Sequence, residues 1–591
     1  MFPLLLPTWQ ERPFIPEDFE WGPAPVYVES SALRFQSQGM KHVKPTTKAR
    51  MLTQLGKSGN AEAVPLITEK LKQFSAPQLQ VTALKALNNF ASSEKIDADT
   101  IKPFLDSKNL SVRREAVSLL GKINEVEPDF LLDVAVKATH NTVKSAALHA
   151  ILRKNHSPGR IAYSQLDKLR QSENRKVRFL AWRLSCHTAD VAAHKSSLIS
   201  ACNNDELTSS QAIAEQIPDL PENLATRSLE VLLNNTNSYV RTTLAEKIPD
   251  TKLADKLSPL EQLSKDSDPE VRRQAVKKLK YFPNRESVRV LLDALGDISA
   301  FVRKTAERGL ISIHNELPVH KLCAGVLTAD NPKKRYHALL VLASIGSHEQ
   351  APRIIKALRS ADIPANIAAA LSAAYHVRAR NALSLIRNYT SHESERVRSS
   401  AAKALGMFSY KESNQYLKSL INDNSSKVHR NAIISMGRIG HRKFADSIIQ
   451  VLKSVENTDG HFDVSTRLAA CWAAAHITPA DNSLAKRLRV QATERVIVFP
   501  MGPPAYENQK VMIACNFALA DMAKESSEIK PIFQDVIQKH SKDRGSMSQF
   551  PNTPKLKEYA RQAKAFYDDK QIESKKRPTR SLSMIYEKVT D

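Results

Sequence analysis

The chain has little glycine, few cysteines and no long apolar run. Among its 591 residues only 16 are glycine, where average usage of ~7% would give roughly 41. No two glycines stand two apart, so the dinucleotide fingerprint GxGxxG is missing, and neither the phosphate loop GxxxxGK nor the hydrolase elbow GxSxG occurs. Chemistry that cradles a phosphate on a glycine-rich loop is therefore excluded. The five cysteines, Cys186, Cys202, Cys323, Cys471 and Cys515, never adopt CxxC spacing, which excludes a zinc ribbon or a thioredoxin-like pair. Their sparse, odd count fits free thiols in a reducing compartment. No stretch of 18 apolar residues exists, so no membrane-spanning helix is expected. The apolar start at Met1 is broken by Pro3 and Pro7 and lacks a basic flank, a poor secretory signal. A cytoplasmic location is expected, with an exported or truncated parent chain as the alternative.

What the chain does have is positive charge and a repeat. It carries 86 Lys and Arg against 62 Asp and Glu, a net charge of +24. Residues 541–591 hold 12 basic and 7 acidic residues, while residues 41–540 hold 72 against 50, a net +22. The surplus belongs to the body of the chain, and it favours anionic partners without specifying a fold.

One pattern recurs: Val112-Arg113, Val271-Arg272, Val302-Arg303, Val397-Arg398 and Val428-His429, each with a small or apolar residue four and eight positions on. Weaker copies begin at Thr47, Leu79, Val143, Val177, Ser209, Val240, Lys334, Asn366, Thr466 and Lys510. From 79 to 428 the step stays between 31 and 34 residues, then lengthens to 38 and 44. A fixed period of this size marks a repeat architecture. Counting each first residue as position 0, apolar or small residues at 0, +4 and +8 lie on one helical face. Asp or Asn upstream sits where an N-cap belongs. Glycine at +9 (Gly56, Gly121, Gly406, Gly437) sits where a C-cap belongs. Pro269, Pro332 and Pro364 stand just before the second helix of their units.

The sentence Asp-x4-Val-Arg-x2-Ala-x3-Leu-Gly resembles the HEAT-repeat family, and its short period resembles the phycobilin-lyase-type subtype. The resemblance covers roughly residues 41–540. It implies an all-α, right-handed superhelical solenoid of about 13–15 short helical hairpins, whose second (B) helices line the concave side. It also implies that the basic residue at +1 pairs with the capping Asp of a neighbouring unit. That structural ladder comprises Arg113, Arg178, Arg241, Arg272, Arg303, Arg335, Arg398 and Arg467. The alternative reading of the same residues is a row of phosphate contacts.

Positions +2 and +6 are not required by the core pattern, and they are basic at Arg273, Lys277, Lys304, Arg308, Arg114, Arg183, Lys403 and Arg430. These form the candidate binding face, with a merely solvated basic surface as the bland reading. Phe179, Tyr336 and Trp472 are the aromatics at such positions, too thin a set for a base-stacking platform. HEAT-like DNA glycosylases offer no catalytic set that can be carried over. Two His-Glu pairs, His348-Glu349 and His392-Glu393, fall at different phases of the repeat, so they do not match the paired iron ligands of deoxyhypusine hydroxylase. No catalytic residue, metal site, cofactor or small-molecule substrate is expected.

Two ends and one insertion break the pattern. Residues 1–40 hold six prolines and seven aromatics and read as extended, covering the first repeat, linking to another domain or docking a partner. Residues 541–591 read as one further helix, Lys555–Asp569, and a basic tail around Lys575–Arg580. Within residues 494–508, Val496–Phe499 is strand-like and Pro500–Pro504 turns it, either as a functional loop or as a cap on the last repeat. Cys471 and Cys515 share phase +5, as two core residues or as a disulfide or metal pair. The expectation is a non-enzymatic scaffold that binds a macromolecular partner, foremost a protein, along its basic face. A nucleic acid held through its phosphates is the alternative partner. An accessory region of a larger enzyme is the remaining alternative.

Overall fold

The computed structural model describes residues 40, 43–91, 96–154, 161–188, 190–203, 207–454, 462–499, 502–541 and 554–568. The expectations for residues 1–39 and for the tail beyond 568 lie outside them. The chain divides into two compact units, 1–271 and 272–591, each built of helical hairpins.

In the first unit the B helices are Pro45–Gly56, Pro77–Asn88, Leu110–Leu120, Asn141–Arg153, Arg175–Ser185, Leu207–Gln216 and Ser238–Lys247. In the second they are Ala300–Ser312, Pro332–Ile345, Pro364–His376, Glu395–Leu405, Ser426–Ile439, Val464–Ala475, Gln509–Glu525 and Pro554–Tyr567. Pro269–Lys278 straddles the division. Inside each unit, neighbouring B helices pack on one another, and each one after Pro45–Gly56 also packs on the first (A) helix of its own hairpin. Pro554–Tyr567 packs on Gln509–Glu525 in the same way, so the stack runs past residue 540, the boundary expected from the sequence.

The local chemistry explains where each B helix begins. Proline opens six of them, at 45, 77, 269, 332, 364 and 554, where a missing N–H costs nothing. In several others an Asn or Asp three residues before position 0 accepts the orphan amides, whereas Ser299, Ser394 and Ser425 make no such bond. Asn109 accepts from Ser111 and Val112 at 2.9 and 3.3 Å, Asn174 from Lys176 and Val177, and Asp463 from Thr466. The stripe at 0, +4 and +8 is buried: Val112, Ala116 and Leu120 are wholly inaccessible, as are Val397, Ala401 and Leu405.

The +9 glycines do something the sequence reading did not anticipate. Gly121 and Gly406 do stand at the expected C-cap position, though in right-handed backbone at φ −63° and −66°; the left-handed cap conformation belongs to Gly440, at φ +66°, which ends Ser426–Ile439. Gly437 lies inside that helix. Instead, each +9 glycine faces position +7 of the next B helix. A Cβ on Gly56 would stand 2.7 Å from the Ala86 Cα, one on Gly406 2.8 Å from the Ser435 hydroxyl, and one on Gly437 2.8 Å from the Ala473 Cα. Gly121 meets Ala150 in the same manner. Small residues at +4, +7 and +9 thus let successive helices approach backbone to backbone.

This contact reverses the usual sign of a substitution. In a helix interior Gly→Ala ordinarily gains about 1 kcal/mol. Gly437→Ala is expected to destabilise the protein, because the new methyl meets backbone and an indole ring that must shift. Gly325→Ala, where nothing lies within 4 Å of the new methyl, should be neutral or stabilising. Thermal denaturation of the two variants checks the contrast. A Gly437→Ala protein melting at or above wild type would refute the close-approach role.

Candidate binding surface and the arginine ladder

At position +1 most arginines first brace the turn that precedes their own helix. Nη1 of Arg241 donates to the carbonyls of Asn235 and Thr236, that of Arg303 to Asp297 and Ile298, that of Arg335 to Ala329 and Asp330, and that of Arg398 to His392 and Glu393. Arg178 does the same to Ser172 and Glu173, both at 2.8 Å. In each case the carbonyls lie five and four residues before position 0.

The remaining guanidinium edge reaches the next repeat where a carboxylate waits there. Arg241 holds Asp266 at 2.6 and 2.8 Å, Arg272 holds Asp297 at 2.7 and 2.9 Å, and Arg398 holds Asp423 at 2.6 and 2.9 Å. These are bidentate, and all six side chains are nearly buried. Each Asp stands five residues before position 0 of its own repeat and also accepts the amide two residues on, as Asp297 does from Ser299 at 2.7 Å. Where that place holds alanine, at Ala138, Ala329 and Ala361, the carboxylate is missing. Arg113 Nε is then buried without a hydrogen bond. Arg303 instead donates to His337 Nε2 at 2.8 Å, and His337 Nδ1 meets Glu307. The ladder is therefore discontinuous, and the identity of a single upstream residue decides each rung.

Arg467 departs from the rule. Its acid is Glu507, held at 2.9 and 2.8 Å with both side chains buried. Gln491 also donates to Glu507, and Arg487 bonds Gln491 at 2.8 Å and the Leu452 carbonyl at 3.0 Å. Glu507 is delivered there by the insertion. Arg495–Phe499 (β1) and Gly502–Tyr506 (β2) pair antiparallel, with Arg495 opposite Tyr506 and Phe499 opposite Gly502. The hairpin returns the chain beside the helix it left, and Glu507 follows directly. Sequence reasoning found the strand-like stretch but missed Glu507, whose only signal was an acid at the hairpin exit.

Of the eight basic residues singled out at +2 and +6, Lys277, Lys304 and Arg308 are exposed, and Arg114 is exposed while paired with Glu115 at 2.7 Å. The others are partly buried. Arg183 lies 3.7 Å from Glu215 and over Phe179, and Lys403 lies 5.7 Å from the Tyr375 ring centre. Arg273 has partners of its own, and the Arg430 charge helps hold the Asp463 carboxyl low. Tyr336 carries Arg396 over its ring, and Trp472 stacks on His476 and against Gly437.

Two apolar residues that the pattern reading passed over stand beside the exposed cations. Ile298 is 82% exposed and Phe301 77%. Phe301, Lys304 and Arg308 follow the i, i+3, i+7 spacing, so one face of Ala300–Ser312 presents an aromatic ring and two cations together. Tyr281, 58% exposed, has Lys278 and Lys280 within 6 Å of its ring centre. An aromatic at position −1, where other repeats carry Glu270, Lys333 or Arg396, was the available signal.

The two His-Glu pairs hold separate partners: His348 meets the Val377 carbonyl and His392 accepts the Ser394 amide. Among the described residues no cluster of three His, Cys, Asp or Glu could hold a metal, and no helix is long and apolar enough to cross a membrane. Cys471 and Cys515 do meet, at 3.6 Å, as buried free thiols. Burial and then the neighbouring Cys471 push the Cys515 thiol well up.

Burial alone would raise the Asp297 carboxyl, but the hydrogen bonds from Arg272 and the Ser299 amide outweigh it and hold it below the ordinary carboxylate range; Asp266 and Asp423 behave alike through Arg241 and Arg398. A depressed folded-state value stabilises above the unfolded value and is lost as pH falls through the folded one. The rungs should therefore hold at neutral pH and fail from about pH 4 downward. Asp297→Ala, which strands a nearly buried guanidinium, should cost about 3 kcal/mol locally at neutral pH and progressively less below pH 4. Hydrogen exchange should localise the lost protection to helices 269–278 and 300–312. Unchanged protection there at pH 7 would refute the rung's role.

The geometry can be set beside known proteins. Residues 257–343, 351–436 and 381–461 match the model for HEAT repeats. A search of curated proteins gave no match. Among solved structures, Kap121p bound to Ste12p aligns with a TM-score of 0.56 at 12% identity, covering 91% of this chain and 64% of that one. The karyopherin Kap121p bound to the extreme C-terminus of the protein phosphatase Cdc14p gives 0.53 at 12%, covering 91% and 65%. This chain thus spans somewhat less than two thirds of those it matches. A phycocyanin lyase complex from Nostoc sp. PCC7120 is 21% identical over 39% of this chain with a TM-score of 0.27, too low to bear on the fold. The stacked hairpins and the matched repeats together identify an all-α solenoid with HEAT repeats across residues 257–461.

Proposed function

We propose that the protein is a non-enzymatic scaffold that binds a protein partner on the basic B-helix face, centred on Ala300–Ser312. The observation that carries this reading is the pairing of Ile298 and Phe301, both more than three-quarters exposed, with the exposed Lys304 and Arg308. Exposed apolar side chains grouped together and rimmed by charge mark interaction sites, and aromatic and arginine anchors dominate protein interfaces. The surrounding lysines favour a partner segment rich in Asp and Glu around an apolar anchor. The Kap121p structures with Ste12p and with the Cdc14p C-terminus lend support by showing this kind of solenoid engaging protein segments.

A nucleic acid is the second reading, favoured by the cations at Lys277, Lys304 and Arg308 beside an aromatic ring. The two separate cleanly. Phosphate contacts would make binding of duplex or single-stranded DNA and RNA fall steeply with salt. Under the protein reading, the full chain binds neither at physiological ionic strength. Proteins it captures from its source cell should be lost with Phe301→Ala combined with Lys304→Glu and Arg308→Glu, but kept with Lys85→Glu. Identical capture by the triple variant would overturn the proposal.

A further inference from the structure

A second basic feature lies in the first unit, away from Ala300–Ser312 in sequence, and does not depend on the partner reading. Three successive B helices, Leu110–Leu120, Asn141–Arg153 and Arg175–Ser185, enclose an open pocket of ≈290 Å³. Its walls carry Arg114, Lys122, Arg153 and Lys176. The one acid among its lining residues, Glu115, is already bonded to Arg114 at 2.7 Å. Among the described residues no carboxylate pairs with Lys122, Arg153 or Lys176, all of which are exposed at the rim. Ser118, Thr142 and His149 also line the pocket, the Thr142 hydroxyl standing 3.0 Å from His140 Nδ1. The floor is Gly121 against Ala150: the glycine that lets the two helices meet also leaves the cavity without a side chain at its base.

The charge in this pocket is uncompensated, and His149 reports it. Burial, then the charges of Lys176, Arg153 and Arg183, lower its pKa below the ordinary imidazole value, so it stays neutral among cations. Three cations without a carboxylate partner exceed what a single carboxylate can satisfy. A tetrahedral dianion with several acceptor oxygens matches them. The three cations come from three successive repeats and line one cavity, unlike a row of charges along a single helix.

We infer that the Arg114–Lys122–Arg153–Lys176 pocket of the first unit binds a phosphate monoester, with the ester's oxygens between Arg153 and Lys176 and its organic part filling the rest of the cavity. The chemistry is shared by a phosphorylated side chain of a protein and by a small phosphorylated metabolite.

Calorimetry on the full chain tests it with inorganic phosphate, a small sugar phosphate, a phosphoserine peptide and the same peptide carrying serine or glutamate. The expected result is binding of at least one phosphate ester about tenfold tighter than the serine and glutamate peptides, and a loss of about tenfold or more in Arg153→Glu with Lys176→Glu. Circular dichroism should show that variant folded, and the milder Arg153→Gln with Lys176→Gln should weaken binding too. Lys85→Glu, an exposed lysine of the same unit outside the pocket lining, should leave phosphate binding unchanged. Preference for the phosphopeptide marks a protein ligand and preference for the sugar phosphate a small one; inorganic phosphate bound more tightly than either ester would overturn the monoester reading. Equal affinity for the phosphorylated and glutamate forms, or undiminished phosphate binding by the folded Arg153/Lys176 variants, would overturn the inference.

Discussion

The structure depends on how closely successive B helices can approach. The +4 residue is alanine in most repeats and is buried wherever it is, and where glycine stands at +9 it meets the +7 residue of the next helix, at its backbone for Gly56, Gly121 and Gly437 and at its side chain for Gly406. Such contact replaces side-chain interdigitation with backbone apposition, so a single methyl is enough to push neighbours apart. Because each hairpin buries its stripe only against the next, stability in an array of this kind is a sum of nearest-neighbour terms. The tight approach also brings side chains from three consecutive helices to one place, which is how the pocket above Gly121 and Ala150 arises.

The arginine at +1 works on that frame as an orienting device more than as glue. Its bonds to the two turn carbonyls are local and recur whether or not a carboxylate is present, as Arg335 shows. The bridge to the next repeat is added where Asp stands in the preceding turn. Buried, bidentate and shared with a backbone amide, each rung fixes the angle between two turns, and removing one partner strands the other. At the C-terminal end the same need is met by different means. The hairpin carries Glu507 to Arg467, and a network with Gln491 and Arg487 replaces the simple rung. Such an insertion keeps the pairing while lengthening the repeat.

Much of the architecture was legible in the chain. Positions 0, +4 and +8, the caps at Asn109, Asn174 and Asp463, and the prolines that open the helices follow from 3.6-residue periodicity and from backbone groups left unpaired at helix ends. The strand-like Val496–Phe499 was legible as well. The meaning of the +9 glycines was not, because a glycine after an apolar stripe looks alike whether it caps a helix or faces a neighbour. Nor was the broken ladder, since Arg303 and Arg398 share one local sentence and differ only in a residue 25 or more positions away, Ala329 against Asp423. Phe301 and Ile298 read as ordinary apolar residues until their surroundings were known.

By itself the sequence determined the repeat, the helical register, the caps and the sign and location of the charge. Each of these is set by spacing along one helix, where neighbours three and four residues apart are always neighbours. Tertiary structure decided which cations are paired and which stand free, which glycines are contacts, and that Arg114, Lys122, Arg153 and Lys176 line one cavity. Those outcomes rest on residues some 30 positions apart being brought within hydrogen-bonding reach, and the distance across a stacked interface is not encoded in the period of the stripe that forms it.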